Sequence, residues 1–277
     1  MVAIPKTIKL FINGEFPRSE SGRSFEVLNI QSQKKFANVC QASRKDFRNA
    51  VESARAVQSG WAAKTSYNRG QILYRMAEML SSRRSEFEGV ICETIRNDKV
   101  YAKHEVDKSL EALIYYAGFA DKFQQVLGSE NPVSSPHYNF TTVEPVGVVA
   151  LCFSRNDLSD FFKALCPVIV SGNSVVGLLS QALSALLAPL GEMFQNSDLP
   201  GGVVNLLTGF SDELLPHMAS HMEVQSLGVP PETDDIAQLR KQASQNMKRV
   251  VFLTSELSLQ PIAQFVEYKT IWHPIGV

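Results

Sequence analysis

The sequence predicts an α/β protein built on a doubly wound, mostly parallel, five-stranded sheet with helices on both faces and an added amino-terminal helical layer. Three observations carry this. Short apolar, β-branched runs lie near 146–153, 174–179, 203–207, 224–229 and 248–253. Stretches of helical length and spacing separate them, which is the alternation of crossover units. The runs are almost continuously apolar, as strands buried on both faces must be. Ligands of such sheets bind beyond the carboxyl ends of the strands. The candidate site is therefore Ser154-Arg155-Asn156, Leu178 to Gln181, and Thr208-Gly209-Phe210.

In chain order, residues 8–16 (IKLFINGEF) and 23–30 (RSFEVLNI) alternate and read as two surface strands joined through a polar SESG turn, the first turning at Asn13-Gly14. Ser43 before Asp46 signals a helix start, with Phe47, Val51, Ala54 and Val57 at helical spacing to Trp61. Further helices are expected over 66–80, 85–97 and 101–126. The polar, proline-containing 129–142 reads as an edge hairpin. Within the sheet region, helices are expected at 158–171, 182–194, 212–219 and 233–246. The apolar tail, 263–275, reads as one more strand.

Bulk properties exclude several classes. The 277 residues carry 27 Lys and Arg against 28 Asp and Glu, a net charge of −1, so no field attracts nucleic acid or an anionic membrane. No apolar run approaches the about 20 residues a membrane helix needs. The start, MVAIPKTIKLF, has no signal-peptide apolar region. The four cysteines lack C-x-x-C spacing, so reduced thiols and a cytoplasmic setting are expected.

Motifs give little chemistry. No glycine-rich phosphate loop, G-x-S-x-G or H-E-x-x-H is present. His217 and His221 are spaced to share a helix face, but no third ligand joins them; a surface or capping role is expected, and no metal site. Cys152 and Cys166 read as core thiols. Asn156, at a strand's carboxyl end, is either an oxyanion donor or a turn residue. Arg155 and Lys163 either meet an anionic ligand there or are solvated charges.

LFINGEF with SGRSFEVLN, AVESARAVQSGWAAKT, YYAGFADK, EPVGVVALC, GNSVV, LPGGVVNLLTGF and NMKRVV, in this order, resemble the aldehyde dehydrogenase superfamily. The resemblance implies that family's Rossmann-like, cofactor-binding amino-terminal half over 1–260, an oligomerisation hairpin at 129–142 and an extended tail over 261–277. It also implies losses. The P-W-N-F-P stretch of active members falls on Ser154 to Leu158, where Asn156 is kept as a vestige. K-P-S-E, which holds the adenosine ribose, falls on Leu178-Leu179-Ser180-Gln181; Leu178 and Gln181 lose the grip and Ser180 remains, as does Gly209. The F-T-G-S-T turn falls on Val229 to Thr233, where Pro230 and Pro231 lack amide donors. The general-base position falls on Leu253. The nucleophile-bearing catalytic domain is expected to be absent.

The resemblance is strongest to the degenerate carboxy-terminal unit of family-16 aldehyde dehydrogenases, which the ending YKTIWHPIG also resembles. A non-catalytic scaffold or oligomerisation unit with no cofactor is expected, the alternative being a residual NAD(P)-binding module or part of an NAD-dependent aldehyde dehydrogenase. Its expected partner is a second copy or a catalytic dehydrogenase unit, met through 136–143 and 263–275, the tail adding to an edge of that partner; the alternative is that the tail folds back on its own sheet.

Overall fold

A computed structural model describes residues 6–276. The opening MVAIP, part of the segment read for a signal peptide, lies outside the described residues. The elements run β1 (Lys6–Ile8), β2 (Ser24–Leu28), β3 (Lys35–Cys40), α1 (Arg44–Ala62), α2 (Ser66–Ser82), α3 (Arg84–Thr94), α4 (Lys99–Phe119) and α5 (Phe123–Leu127). They continue with β4 (Ser129–Asn131), β5 (His137–Pro145), β6 (Val148–Cys152), α6 (Leu158–Val170), β7 (Ser174–Leu179), α7 (Leu187–Gln195), β8 (Val204–Thr208), α8 (Ser211–Ser220), β9 (Ser226–Val229), α9 (Ile236–Ala243), β10 (Arg249–Phe252), α10 (Gln260–Gln264) and β11 (Val266–Pro274).

The main sheet is the expected one, five strands in the order β10-β9-β6-β7-β8, all parallel. Successive side chains along a strand point to opposite faces, and both faces are apolar. Val148, Ala150, Cys152, Val176 and Leu178 pack with Phe47, Ala50, Val51 and Ala54 of α1 and Leu214 and Met218 of α8. Val149, Leu151, Phe153, Val175 and Leu179 pack on the other face with α2, α4, α6 and α7, through Leu73, Leu113, Leu165 and Leu190. This two-sided burial explains why the runs read as unbroken apolar segments.

Polar groups seal the helix ends. Ser43 and Asp46 form a capping box at the start of α1. The buried Arg69 donates from Nε to Val170 O (2.9 Å) and from Nη1 to Ala62 O (3.1 Å) and Lys64 O (2.6 Å), satisfying the ends of α1 and α6 together. Trp61 Nε1 donates to Ile169 O at 2.8 Å. Asn173, fully buried, donates to Ser171 Oγ and Phe265 O and accepts from Gly147 N–H. It thereby ties the turn before β7 to the start of β6 and the root of the tail.

Three expectations are corrected. Residues 8–16 do not pair with 23–30. Asn13 (φ 56°) and Gly14 (φ 74°) make a tight turn closed by Ile12 and Glu15, and Phe11 bridges Leu206 on the edge of β8. The partner of β2 is β3, whose Ala37 and Val39 point into the core. The long helix expected over 101–126 breaks after Phe119, which lets Phe123 turn inward. The tail does form a strand, but β11 pairs antiparallel with β5 of its own chain, Val266 opposite Pro145 through Pro274 opposite His137. Its root is pinned there by Asn173 on Phe265 O and by Arg249 on Gln264 O and Val266 O.

Replacing Arg69 by Leu leaves the ends of two helices without their buried donor. The expected loss is about 2–3 kcal/mol, read as a lowered urea midpoint at unchanged slope. A midpoint equal to that of the unaltered protein would contradict this role.

Candidate functional site

The carboxyl ends of β6, β7 and β8 open into a cleft of about 610 Å³. Its lining includes Ser154, Asn156, Leu178, Leu179, Ser180, Gln181, Gly209 and Phe210, so the fold brings together eight of the candidate-site residues read from the sequence. Ser180 Oγ donates to Asn156 Oδ1 at 3.1 Å and accepts the Leu183 amide at 3.2 Å. Asn156 is thus held by a loop contact of the kind a turn residue makes. Leu178 is 2% exposed and packs with α1 and α8. Gln181 is exposed and Gly209 is buried. Phe210, also singled out by sequence, lies with its ring centroid 5.6 Å from that of Phe25; Phe25, Thr94, Glu26 and Asp212 line the cleft too and were not singled out.

Pro231 and Leu253 line a second, small space of about 30 Å³ near the ends of β9 and β10, which adjoins the cleft at Cys152, Phe153 and Ser154. That is room for about one water. Arg155 lies across it. Its Nη1 donates to Ser255 Oγ (2.7 Å) and Asp160 (3.2 Å), and its Nε to Glu232 (3.4 Å). These partners raise the guanidinium pKa, Asp160 first. Arg155 therefore clasps the loops after β6, β9 and β10. Lys163 lies 3.6 Å from Asp160 and is also engaged.

The start of α6 is occupied as well. Glu105, buried on α4, accepts the Ser159 amide at 2.9 Å, and Tyr101 donates to Asp157 at 2.5 Å. Burial first, then Asp157, pushes the Tyr101 hydroxyl pKa up, so it stays a donor. Amide donors at a helix start facing a sheet's carboxyl edge are a ready anion site. Here the chain's own carboxylate takes one of them. This was missed by sequence because Glu105 and Ser159 lie on different elements and α4 gave only a helical stripe.

The thiols are not poised for chemistry. Burial pushes Cys152 up to about 12 and Cys166 higher still, far from thiolate. His217 and His221 flank Arg44 and Arg48 at the α1–α8 seam. Burial comes first and Arg44 also contributes in lowering the His217 pKa; burial, then Lys248, lowers that of His221. Among the described residues no group of three His, Cys, Asp or Glu is placed to hold a metal, and no helix is long and apolar enough to cross a membrane.

Sheet order, two-sided helical cover and a cleft at the carboxyl edge define a Rossmann-like α/β unit. The family model described as "Aldehyde dehydrogenase family" matches residues 16–257. The chain belongs to the aldehyde dehydrogenase family. It is 31% identical over 252 residues to cytosolic aldehyde dehydrogenase 1 of Elephantulus edwardii, covering 87% of this chain and 49% of that protein. To the mitochondrial benzaldehyde dehydrogenase of Antirrhinum majus it is 32% identical over 234 residues, covering 82% and 42%. The NAD+ complex of an aldehyde dehydrogenase from Bacillus cereus superimposes with a TM-score of 0.80 at 27% identity, covering 88% of this chain and 50% of that one. The chain spans about half the length of the curated relatives it matches.

Leu178 and Arg155 should respond differently to truncation. Leu178→Ala removes core packing and is expected to cost about 2–5 kcal/mol in urea unfolding. Arg155→Ala breaks a half-exposed ion cluster and should cost about 1 kcal/mol or less. A near-neutral Leu178→Ala would place that side chain in the cleft rather than in the core.

Proposed function

We propose that this chain is a non-catalytic aldehyde dehydrogenase-fold unit whose role is assembly, with no bound dinucleotide. One observation carries the reading. The cleft has no Lys, Arg or His in its lining, while Glu26 and Asp212 both belong to it. A pyrophosphate needs donors or cations, and an acidic rim repels it. The neighbouring cation, Arg155, is committed to Asp160, Glu232 and Ser255. Leucine at 178 and at the general-base position 253, with proline at 230 and 231, adds to the same balance. These substitutions and the YKTIWHPIG ending support kinship with the degenerate unit of family-16 enzymes. The chain would then work beside a second copy or a catalytic aldehyde dehydrogenase unit, in the reducing cytoplasm that its four free cysteines suit.

A second reading, a residual NAD(P)-binding module or part of a working dehydrogenase, is favoured by the size of the cleft and by the grouping of Asn156, Ser180 and Gly209. Calorimetric titration separates the two. The scaffold reading expects no saturable heat with NAD or NADP. Saturation at micromolar cofactor would replace it with the second reading.

A further inference from the structure

A second large cleft, of about 540 Å³, lies on the seam between the start of α1 and the end of α8. It shares no lining residue with the cleft beyond β6, β7 and β8. Three segments distant in sequence build it: Glu20 from the loop before β2, Arg44, Lys45 and Arg48 from α1, and His217 and His221 from α8. The loop is fixed on α1 by Asp46, which accepts from Ser19 Oγ (2.7 Å) and from Glu20 N–H (3.2 Å). The fold therefore sets the walls.

The charges on this seam do not balance. Lys45 takes Glu20 at 3.0 Å and Arg48 takes Glu52 at 3.8 Å, leaving Arg44 without an ionic partner among the described residues. The Arg48–Glu52 pair is long, and both side chains are more than half exposed, so it holds Arg48 weakly. Arg44 and Arg48 are four apart and present one helix face. They stand beside two imidazoles. Burial first, then Arg44, lowers the His217 pKa; burial, then Lys248, Arg44 and Arg48, lowers that of His221 against the opposing Glu52.

The donors on the α8 side are ordered. The His221 ring meets Phe47 edge-on, with centroids 5.6 Å apart. Its Nδ1 accepts the Glu223 amide at 3.3 Å, so its Nε2 carries the proton. The negative end of α8 does not oppose an anion here. Lys248 Nζ already takes Ala219 O and His221 O at 2.8 Å each, and Ser220 Oγ takes Pro216 O.

Two weakly held guanidinium groups suit one dianion, and their planar forks match phosphate oxygens. The cleft is larger than a phosphate and has the size of a small-molecule site. Besides the cations it offers the hydroxyls of Ser43 and Ser220 and the carboxylate of Glu20, with Phe47 as its one apolar side chain. Such a lining exchanges hydrogen bonds with hydroxyl groups.

We propose that this seam binds a hydroxylated phosphate monoester of the sugar-phosphate class, with Arg44 and Arg48 on the phosphate and His217 and His221 donating to it. The site does not depend on the assembly reading and stands if that reading falls.

Calorimetric titration of the full chain tests it, in phosphate-free buffer at about pH 7.5, where a phosphate monoester carries close to two negative charges. Inorganic phosphate and glucose 6-phosphate should both saturate the chain, and glucose should give no heat of binding. Arg44→Ala should weaken glucose 6-phosphate about tenfold or more, the worth of a charge-assisted contact. Arg75→Ala, which removes an exposed cation from α2, should leave the affinity unchanged. Both variants should melt with the parent. Proton NMR supplies a second readout. A bound anion favours imidazolium, so saturating phosphate should raise the pKa of His217 and His221 and leave those of His104, His137 and His273 unchanged. No saturation by glucose 6-phosphate at about 10 mM, or equal affinity in Arg44→Ala and Arg75→Ala, would overturn the proposal. The NAD titration concerns a cleft with none of these residues, so the two tests fail separately.

Discussion

The structure depends on one constraint: five parallel strands must be covered on both faces. Each strand sends alternate side chains into two separate cores, Val148, Ala150 and Cys152 toward α1 and α8, Val149, Leu151 and Phe153 toward α4 and α6. A side chain committed to a core cannot also reach a ligand. Leu178 illustrates this. Its position at the carboxyl end of β7 is where a ligand-binding side chain would sit, and its chemistry places it among Phe47, Cys152 and Leu214.

Covering both faces brings many helix ends to the sheet's rims, and their orphaned backbone groups need partners. Arg69 and Trp61 serve the ends of α1 and α6 on one rim. On the other, Glu105 takes an amide at the start of α6 and Arg155 joins the loops after β6, β9 and β10. The same carboxyl edge that would receive a ligand in this architecture is thus furnished with internal partners. Fold stability and an occupied rim come from the same contacts.

Much of this was legible in the sequence. The parallel strands announced themselves because burial on both faces leaves no polar alternation. Asn156, Leu178, Ser180, Gln181 and Gly209 fell together because strand ends in such a sheet share one edge. The parts that were not legible depend on distant pairing. Arg155 meets Glu232 and Ser255 across 77 and 100 residues, and no local pattern encodes that choice. β3 was missed because its inward residues, Ala37 and Val39, are small and flanked by Lys35 and Asn38. The tail's apolar content announced a strand in need of cover, but such a pattern does not say whose edge it joins. Asn173, which helps root it on its own β5, lies 92 residues away in sequence.

The central claim is that the carboxyl-edge cleft is complete without a dinucleotide. Hydrogen exchange of the amides in 154–157, 178–182, 209–212 and 230–233, measured with and without saturating NAD, tests it most directly. The account predicts unchanged exchange in all four segments. Slower exchange confined to these segments would show the cleft closing on the cofactor and would contradict it.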